Sequence, residues 1–495
     1  MPQTICMLAS EATPFAKTGG LADVAGALTR QLHAAGHDVR LVLPLYSQID
    51  RRAHGIEPVT GFTDLPLEFG PHRYRWSLHG TTLPRSNTPA WFIDIPVLFA
   101  RSTLYSSAAD EHLRFIALTR AALELCQRWG WAPQILHCND WHTAFAPLLL
   151  RTAYAWDRLF DPVRTVLTIH NIGYQGEFSA AQVPDLGIGP PDTARLHQDD
   201  LRAGKVNALK HGILYADAIT TVSPTYAREI MTPHYGMGLE GVLQQRAAQL
   251  RGILNGVDYD DWDPRHDHFL PRHYDADSLP IKATLRTELM SRLGLERRDG
   301  TTLFGIVSRF TPQKGLDLLF DTLPALLGER DLALVALGNG DARYEVFFEG
   351  LQARFPHRVV YHRGYSDELA HWIEAAADVF LMPSLYEPCG LNQMYSLRYG
   401  TIPIVRRTGG LADSVRMFDP ATGTGTGIVF NDFDAAAISW AMRTALDWHA
   451  QPALWSQLVR NAMAEDFSWT HQVREYEALY RQLAGDSDGS TAASN

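Results

Sequence analysis

The sequence predicts an α/β protein built from two Rossmann-like, doubly wound domains facing a cleft. Three observations lead there. The chain has 495 residues, more than one hydrophobic core ordinarily serves, so two domains of about 200 residues or more are expected. Short apolar runs alternate with longer helical patterns, and this alternation stops and then restarts. The hexapeptide TGGLAD occurs twice, at 18–23 and 408–413, each time directly after a basic residue, Lys17 or Arg407.

In the first half, TICMLAS (4–10), DVRLVLP (38–44), QILHCND (134–140), RTVLTIHN (164–171) and AITTVS (218–223) read as buried strands. Helical patterns such as 22–36 and 112–129 flank them. Continuous apolar strands with helical crossovers imply a parallel sheet covered on both faces. The segment 255–280, rich in Asp, His and Pro, lacks periodicity and reads as a junction. The pattern resumes with TLFGIVSRF (302–310), LALVALG (332–338), RVVYHRG (358–364), DVFLMPS (378–384) and TIPIVRRTGG (401–410). The expected domains are 1–256 and 257–467, followed by a helix over 468–484 and a small, polar, disordered tail over 485–495.

Composition excludes several classes. The formal net charge is -11, whereas a nucleic-acid binder carries a basic excess. No apolar run approaches the ~18–20 residues of a membrane span, and the N-terminus lacks a basic stretch followed by an apolar segment and cleavage site. Cys6, Cys126, Cys138 and Cys389 form no CxxC pair, so neither a zinc knuckle nor a redox dithiol is indicated. These features lead us to expect a reduced, cytoplasmic, soluble protein.

Several turns carry residues suited to chemistry. Paired glycines before a helix let backbone approach a ligand closely, and the helix start directs N–H groups at an anion. The plainer reading of each TGG is a tight turn. In SRFTPQKGLD (308–317), Arg309 and Lys314 flank a strand-to-helix turn, where both can meet one phosphate; alone they read as solvated cations. In SLYEPCGLNQMYSLRYG (384–400), Glu387 enters a helix, suited to accepting hydrogen bonds from sugar hydroxyls or to capping that helix. Gly390 permits close backbone approach, and Cys389 has no His near it in sequence to make it a nucleophile. HCNDWH (137–142) and IHNIGYQG (169–176) place His137, Asp140, His142 and His170 at strand ends. Their spacing matches no standard zinc signature, so a polar sugar site is the better reading, with His170 foremost. GNGDAR (338–343) has Arg343 where a dinucleotide fingerprint needs its third glycine, and the D-x-D at Asp258 and Asp260 lies in the junction. Neither is taken as a site, and no metal or cofactor is expected.

Taken together, KTGGLADV, HCNDWH, IHNIGYQG, TTVSPTYAREI, GILNGVDYDDWDP, SRFTPQKGLDLL, EPCGLNQMYSLRYG and RTGGLADSV resemble the bacterial glycogen synthase and plant starch synthase family, in family order from about residue 5 to 480. The resemblance implies a GT-B glycosyltransferase moving glucose from ADP-glucose to the non-reducing end of an α-1,4-glucan with retained anomeric configuration. It implies donor contacts from Lys17 and Gly20, with Asp23 beside them, and diphosphate neutralisation by Arg309 and Lys314. Glu387 would bind glucose hydroxyls within a loop that includes Cys389, Gly390 and Leu391. Thr408, Gly409 and Gly410 would meet phosphate, His170 and Asp140 would sit beside the reacting sugar, and Tyr395 would pack near the nucleotide. It also implies that the first domain handles the acceptor, the second the nucleotide sugar, and that the 468–484 helix returns to the first. Asn139, Gly173 and Ser396 depart from common family residues. Other readings stay open: glucose 1-phosphate as acceptor giving maltose 1-phosphate, a non-catalytic glucan-binding protein, or a nicotinamide dehydrogenase, which the missing GxGxxG disfavours.

Overall fold

The computed structural model describes residues 2–485 except Arg297 and Asp299. The expected tail therefore lies outside the described residues from 486 onward. The chain divides into two compact units. One holds residues up to Val222, Ala227–Gly256 and the chain from Trp469; the other holds Ser223–Tyr226 and Val257–Ser468.

The first unit is built on β1 (Thr4–Leu8), β2 (Asp38–Pro44), β3 (His72–Thr82), β4 (Pro89–Asp94), β5 (Ile135–Asn139), β6 (Arg164–Ile169), β7 (Ala218–Thr221) and β8 (Leu250–Gly252). They lie in the order β8-β7-β6-β5-β1-β2-β4-β3. All neighbours pair in parallel except β4 and β3, which are antiparallel. The five strands read from sequence form the inner part of this sheet. Every residue of β5 is buried, as burial on both faces requires. The sequence reading missed β3, β4 and the three-residue β8. β3 alternates partly buried and exposed residues along its first half, where it pairs with Leu65–Phe69, so its side chains alternate between the two faces of the sheet and form no apolar run. Helix α1 (Gly20–Ala34) follows β1, and α2 (Glu111–Trp129) precedes β5.

The second unit has six parallel strands: β9 (Thr302–Phe310), β10 (Leu332–Gly340), β11 (Val359–Arg363), β12 (Val379–Met382), β13 (Ile402–Arg406) and β14 (Ile428–Phe430). Their order is β11-β10-β9-β12-β13-β14, the Rossmann order that reverses direction beside its first strand and leaves a ligand crevice at the carboxyl ends there. Phe304, Ile306, Leu334, Leu381 and Ile404 fill the core beneath it. Segment 257–280 is packed into this unit: Asp263 and Asp267 are buried, bonded to Arg398 and to His371 and Tyr399.

Helix α3 (Asn392–Tyr399) follows β12, and the short α4 (Gly409–Ser414) follows β13. Helix α5 (Trp469–Ala484) ends the described chain and belongs to the first unit. Its Trp469, Val473, Tyr476 and Tyr480 are buried at helical spacing, and the Tyr480 hydroxyl bonds His137 Nδ1 at 2.6 Å.

Candidate active site

The second unit gathers its candidate groups around the carboxyl ends of β9 and β12. After β9 the chain makes a tight turn over Pro312–Lys314 and then Gly315, at φ 65°. A Cβ on Gly315 would lie 2.0 Å from the Pro383 carbonyl oxygen, so glycine lets this turn lie directly on the chain leaving β12. The Leu385 N–H donates to the Gln313 carbonyl at 2.9 Å, locking the two loops together. As a result, Lys314 Nζ reaches Glu387 Oε2 at 2.6 Å. Ser384 Oγ donates to the same oxygen at 3.0 Å. The Glu387 side chain is only 6% exposed and that of Lys314 20%, so the pair is shielded from bulk water and its attraction is weakly screened. Arg309 is exposed at the end of β9.

The second TGG turn supports this loop from below. Gly409 has φ 42°, and a Cβ there would meet the Glu387 carbonyl oxygen at 1.9 Å. A Cβ on Gly410 would meet the Cys389 carbonyl oxygen at 2.2 Å. The Gly410 N–H donates to the carbonyls of Glu387 and Pro388, both at 3.1 Å. Thr408, fully buried, leads into α4. Arg407 is held by Asn431 Oδ1 at 2.9 Å, and Asp413 accepts from the Thr225 hydroxyl at 2.6 Å. Gln393 ties the Cys389 and Gly390 carbonyls at 3.1 and 2.9 Å. Gly390 has φ 72°, Leu391 precedes α3, and Cys389 is buried and in no disulfide. Tyr395 is buried and stacks on Trp262 at 4.0 Å and 1°; Trp262 in turn stacks on His371 at 3.7 Å.

The first unit gathers a separate set. Asp140 and His170 follow the ends of the adjacent strands β5 and β6, which accounts for their meeting. Asp140 takes φ 52°, and its Oδ1 accepts the His170 N–H at 2.7 Å. Asn139 Nδ2 donates to the Leu8 carbonyl at 3.1 Å, which turns its oxygen towards His170 Nε2, 2.9 Å away. That oxygen only accepts, so His170 carries its proton on Nε2. Burial pushes the His170 pKa down to about 3 and the Asp140 carboxyl up to about 7. His170 is therefore a neutral imidazole at physiological pH. His137 is not part of this group: it is buried between Tyr480 and Thr168, each at 2.6 Å. His142 stacks on Tyr105 at 4.7 Å.

On the same unit, Lys17 Nζ bonds Asp23 Oδ1 at 2.8 Å, and Gly20 begins α1. Sequence reading missed Glu11, a buried carboxyl that accepts the Thr18 N–H and hydroxyl at 2.5 and 2.9 Å. The signal was present: a lone acidic residue among small and apolar ones just after a buried strand. Ser384 and Asn139 were likewise not singled out as site residues. Among the described residues, no cluster of three or more His, Cys, Asp or Glu side chains is arranged to hold a metal ion.

Two Rossmann-type sheets, with a lysine–carboxylate pair over a glycine turn at strand ends, define a glycosyltransferase of the GT-B class. The comparisons agree and are more specific. Residues 4–245 match the starch synthase catalytic domain, and residues 292–461 match glycosyl transferases group 1. The chain is 46% identical over 486 residues to a glycogen synthase of Anaeromyxobacter sp. (strain Fw109-5), covering 97% of this chain and 99% of that one. It is 43% identical to glycogen synthase 1 of Geobacter metallireducens, covering 96% and 95%. The solved catalytic domain of starch synthase IV from Arabidopsis thaliana, bound to ADP and acarbose, superposes with a TM-score of 0.90 at 34% identity, over 98% of this chain and 100% of that one. The chain belongs to the glycogen synthase and starch synthase family.

Proposed function

We propose that this enzyme transfers glucose from ADP-glucose to the non-reducing end of an α-1,4-glucan with retained configuration, as in glycogen synthesis. The observation that carries the site assignment is the Lys314–Glu387 pair, held over the second TGG turn at the strand ends of a Rossmann sheet. Lys314 and Arg309 neutralise the departing diphosphate, whose negative charge grows in the transition state. Glu387 orients the glucose hydroxyls, and Thr408, Gly409 and Gly410 shape the phosphate end of the site. Cys389, Gly390 and Leu391 shape the backbone around the sugar. Tyr395 serves the nucleotide side with one face of its ring already covered by Trp262.

In the first unit, His170 and Asp140 serve the reacting sugar, and Lys17, Gly20 and Asp23 serve the donor. Being neutral, His170 offers a hydrogen bond rather than a charge. Four buried cysteines, none in a disulfide, fit a reducing cytoplasm, and no described helix is long and apolar enough to cross a membrane.

The test is a four-way assay: ADP-glucose or UDP-glucose with glycogen or glucose 1-phosphate, following nucleotide release and product size. ADP release with glycogen growth, undiminished by EDTA, is the expected result. Maltose 1-phosphate as the main product would replace the glucan-elongating reading, and complete, metal-reversible loss in EDTA would remove the role given to the cations.

A further inference from the structure

We propose that Glu11 is a positioning residue for the Lys17–Gly20 turn, its buried carboxylate clamping Thr18 and so fixing where Lys17 and the start of α1 point. The inference rests on the reading above that this turn serves the donor.

The geometry is specific. Glu11 is 3% exposed, yet a single oxygen, Oε2, takes both the backbone N–H and the hydroxyl of Thr18, at 2.5 and 2.9 Å. Thr18 is itself exposed, so the clamp joins a buried anchor to a surface turn. The turn's other ties lie to either side of Thr18: Ala16 N–H to the Ala12 carbonyl at 3.0 Å, and Ala22 N–H to the Gly19 carbonyl at 3.3 Å. Lys17 is the residue before Thr18 in the chain, and its ammonium is steered to Asp23 at 2.8 Å.

A carboxylate is an expensive anchor. Burying a charge is costly, and a neutral amide can accept the same two bonds without that cost. The neighbours increase the cost. Asp140 and Asp23 face Glu11 as further acids, the phenols of Tyr46 and Tyr105 lie close enough to feel its charge, and the Arg114 guanidinium on α2 is bonded to the Leu98 and Leu104 carbonyls and to Glu111 instead. No described cation makes an ion pair with Glu11. A residue retained against these penalties has a use that an amide does not supply: as an ion it grips Thr18 more strongly, since hydrogen bonds to a charged acceptor exceed neutral ones. Burial, the largest cause, and then the two acids outweigh the Thr18 bonds and bring the Glu11 pKa up to about 7. The clamp is therefore tight above that pH and looser below it.

Two measurements decide the matter, using the full chain and the variants Glu11→Gln and Glu11→Ala. The first is hydrogen exchange of the peptide spanning the turn, corrected for intrinsic rates, at about pH 6 and about pH 8, on either side of the titration. Protection in the wild type is expected to drop on acidification, whereas that of Glu11→Gln stays the same at both. The second is kcat/KM for ADP-glucose with glycogen against pH. The acidic limb is expected to move to lower pH in Glu11→Gln, because removing one acid also eases ionisation of Asp140. Glu11→Ala is expected to raise KM for ADP-glucose about five- to tenfold, with a smaller change in kcat. An exchange profile for Glu11→Gln that follows the wild type at both pH values overturns the proposal, whatever the kinetics. Failure of the wild type to use ADP-glucose would overturn the assigned function instead, and the exchange arm, which needs no substrate, would still decide the role of Glu11.

Discussion

Removing Lys314 tests the site most directly. The pair lies at 2.6 Å with the carboxylate side 6% exposed and the lysine side 20%. At an effective dielectric of about 20 the gross attraction is about 6 kcal/mol, much of it offset by desolvation of both groups. Breaking a fully buried pair costs about 3–5 kcal/mol. Here Ser384 still donates to Glu387 at 3.0 Å, and the lysine is one-fifth exposed, so Lys314→Ala is expected to cost about 2–3 kcal/mol. For a unit of this size that lowers Tm by roughly 4–12 °C. On the proposed role, in which the same cation meets charge that develops in the transition state, catalysis should fall further, by about 10²–10³ in kcat. Adding Glu387→Gln closes a double-mutant cycle, and a coupling of about 2 kcal/mol in stability is expected. Thermal melting and ADP release with glycogen give both readouts. A kcat within about twofold of wild type, or a coupling below about 0.5 kcal/mol, would refute the reasoning.

Two further outcomes are expected. Asp140→Asn keeps an acceptor for the His170 N–H and removes a charge whose burial raises its folded pKa to about 7. The folded state prefers the protonated acid, so this stability is full below the unfolded pKa near 4 and is lost as pH rises to about 7. The variant should therefore melt no lower than wild type at pH 8 while its kcat falls, and a lower melting temperature there would count against the assignment. Trp469→Ala, at a buried position opening α5, should destabilise by about 3–5 kcal/mol, visible as a lowered urea midpoint.

The inner strands of both sheets were legible because burial on both faces writes continuous apolar runs. Strand β3 was not, since exposed Arg73 and Arg75 alternate with partly buried neighbours and break up any apolar run. The 255–280 junction shows the reverse: aperiodic and acidic, it reads as linker, yet Asp263 and Asp267 are buried anchors that bond Arg398 and Tyr399, more than a hundred residues away. At the site, Glu387 and Lys314 stood out by residue type and by turns at strand ends. Their direct contact did not, because it depends on Gly315 lying on Pro383, a close approach that spacing along the chain does not encode. Glu11 stood out only as a lone acid after a strand; its bond to Thr18, seven residues on, closes through a turn rather than along a helix or strand, so spacing did not reveal the contact.

The repeated TGGLAD raises a last question, since identical sequence need not mean an identical role. In the second copy the glycines are demanded by the protein itself. Gly409 holds a positive φ of 42°, and a Cβ on it or on Gly410 would press into the carbonyl of Glu387 or Cys389 at 1.9 or 2.2 Å. In the first copy Gly19 is extended, with φ -160°, and a Cβ there would find nothing within 4 Å. Neither conformation nor packing requires glycine at that position, and open space beside a helix start is where an incoming ligand's backbone contacts would be made. The two substitutions should therefore separate. Gly409→Ala combines left-handed strain with overpacking and should cost about 2–4 kcal/mol while displacing Glu387, so stability and kcat fall together. Gly19→Ala loses a little as a helix cap and regains a similar amount by stiffening the unfolded chain, leaving Tm within about 2 °C of wild type. On the proposed reading, in which the donor enters that space, its effect should appear in KM for ADP-glucose. Melting curves and donor kinetics on the two single variants decide it: a wild-type KM in Gly19→Ala would show that the open space is not ligand space, and a stable, fully active Gly409→Ala would show that the second turn does not hold the Glu387 loop.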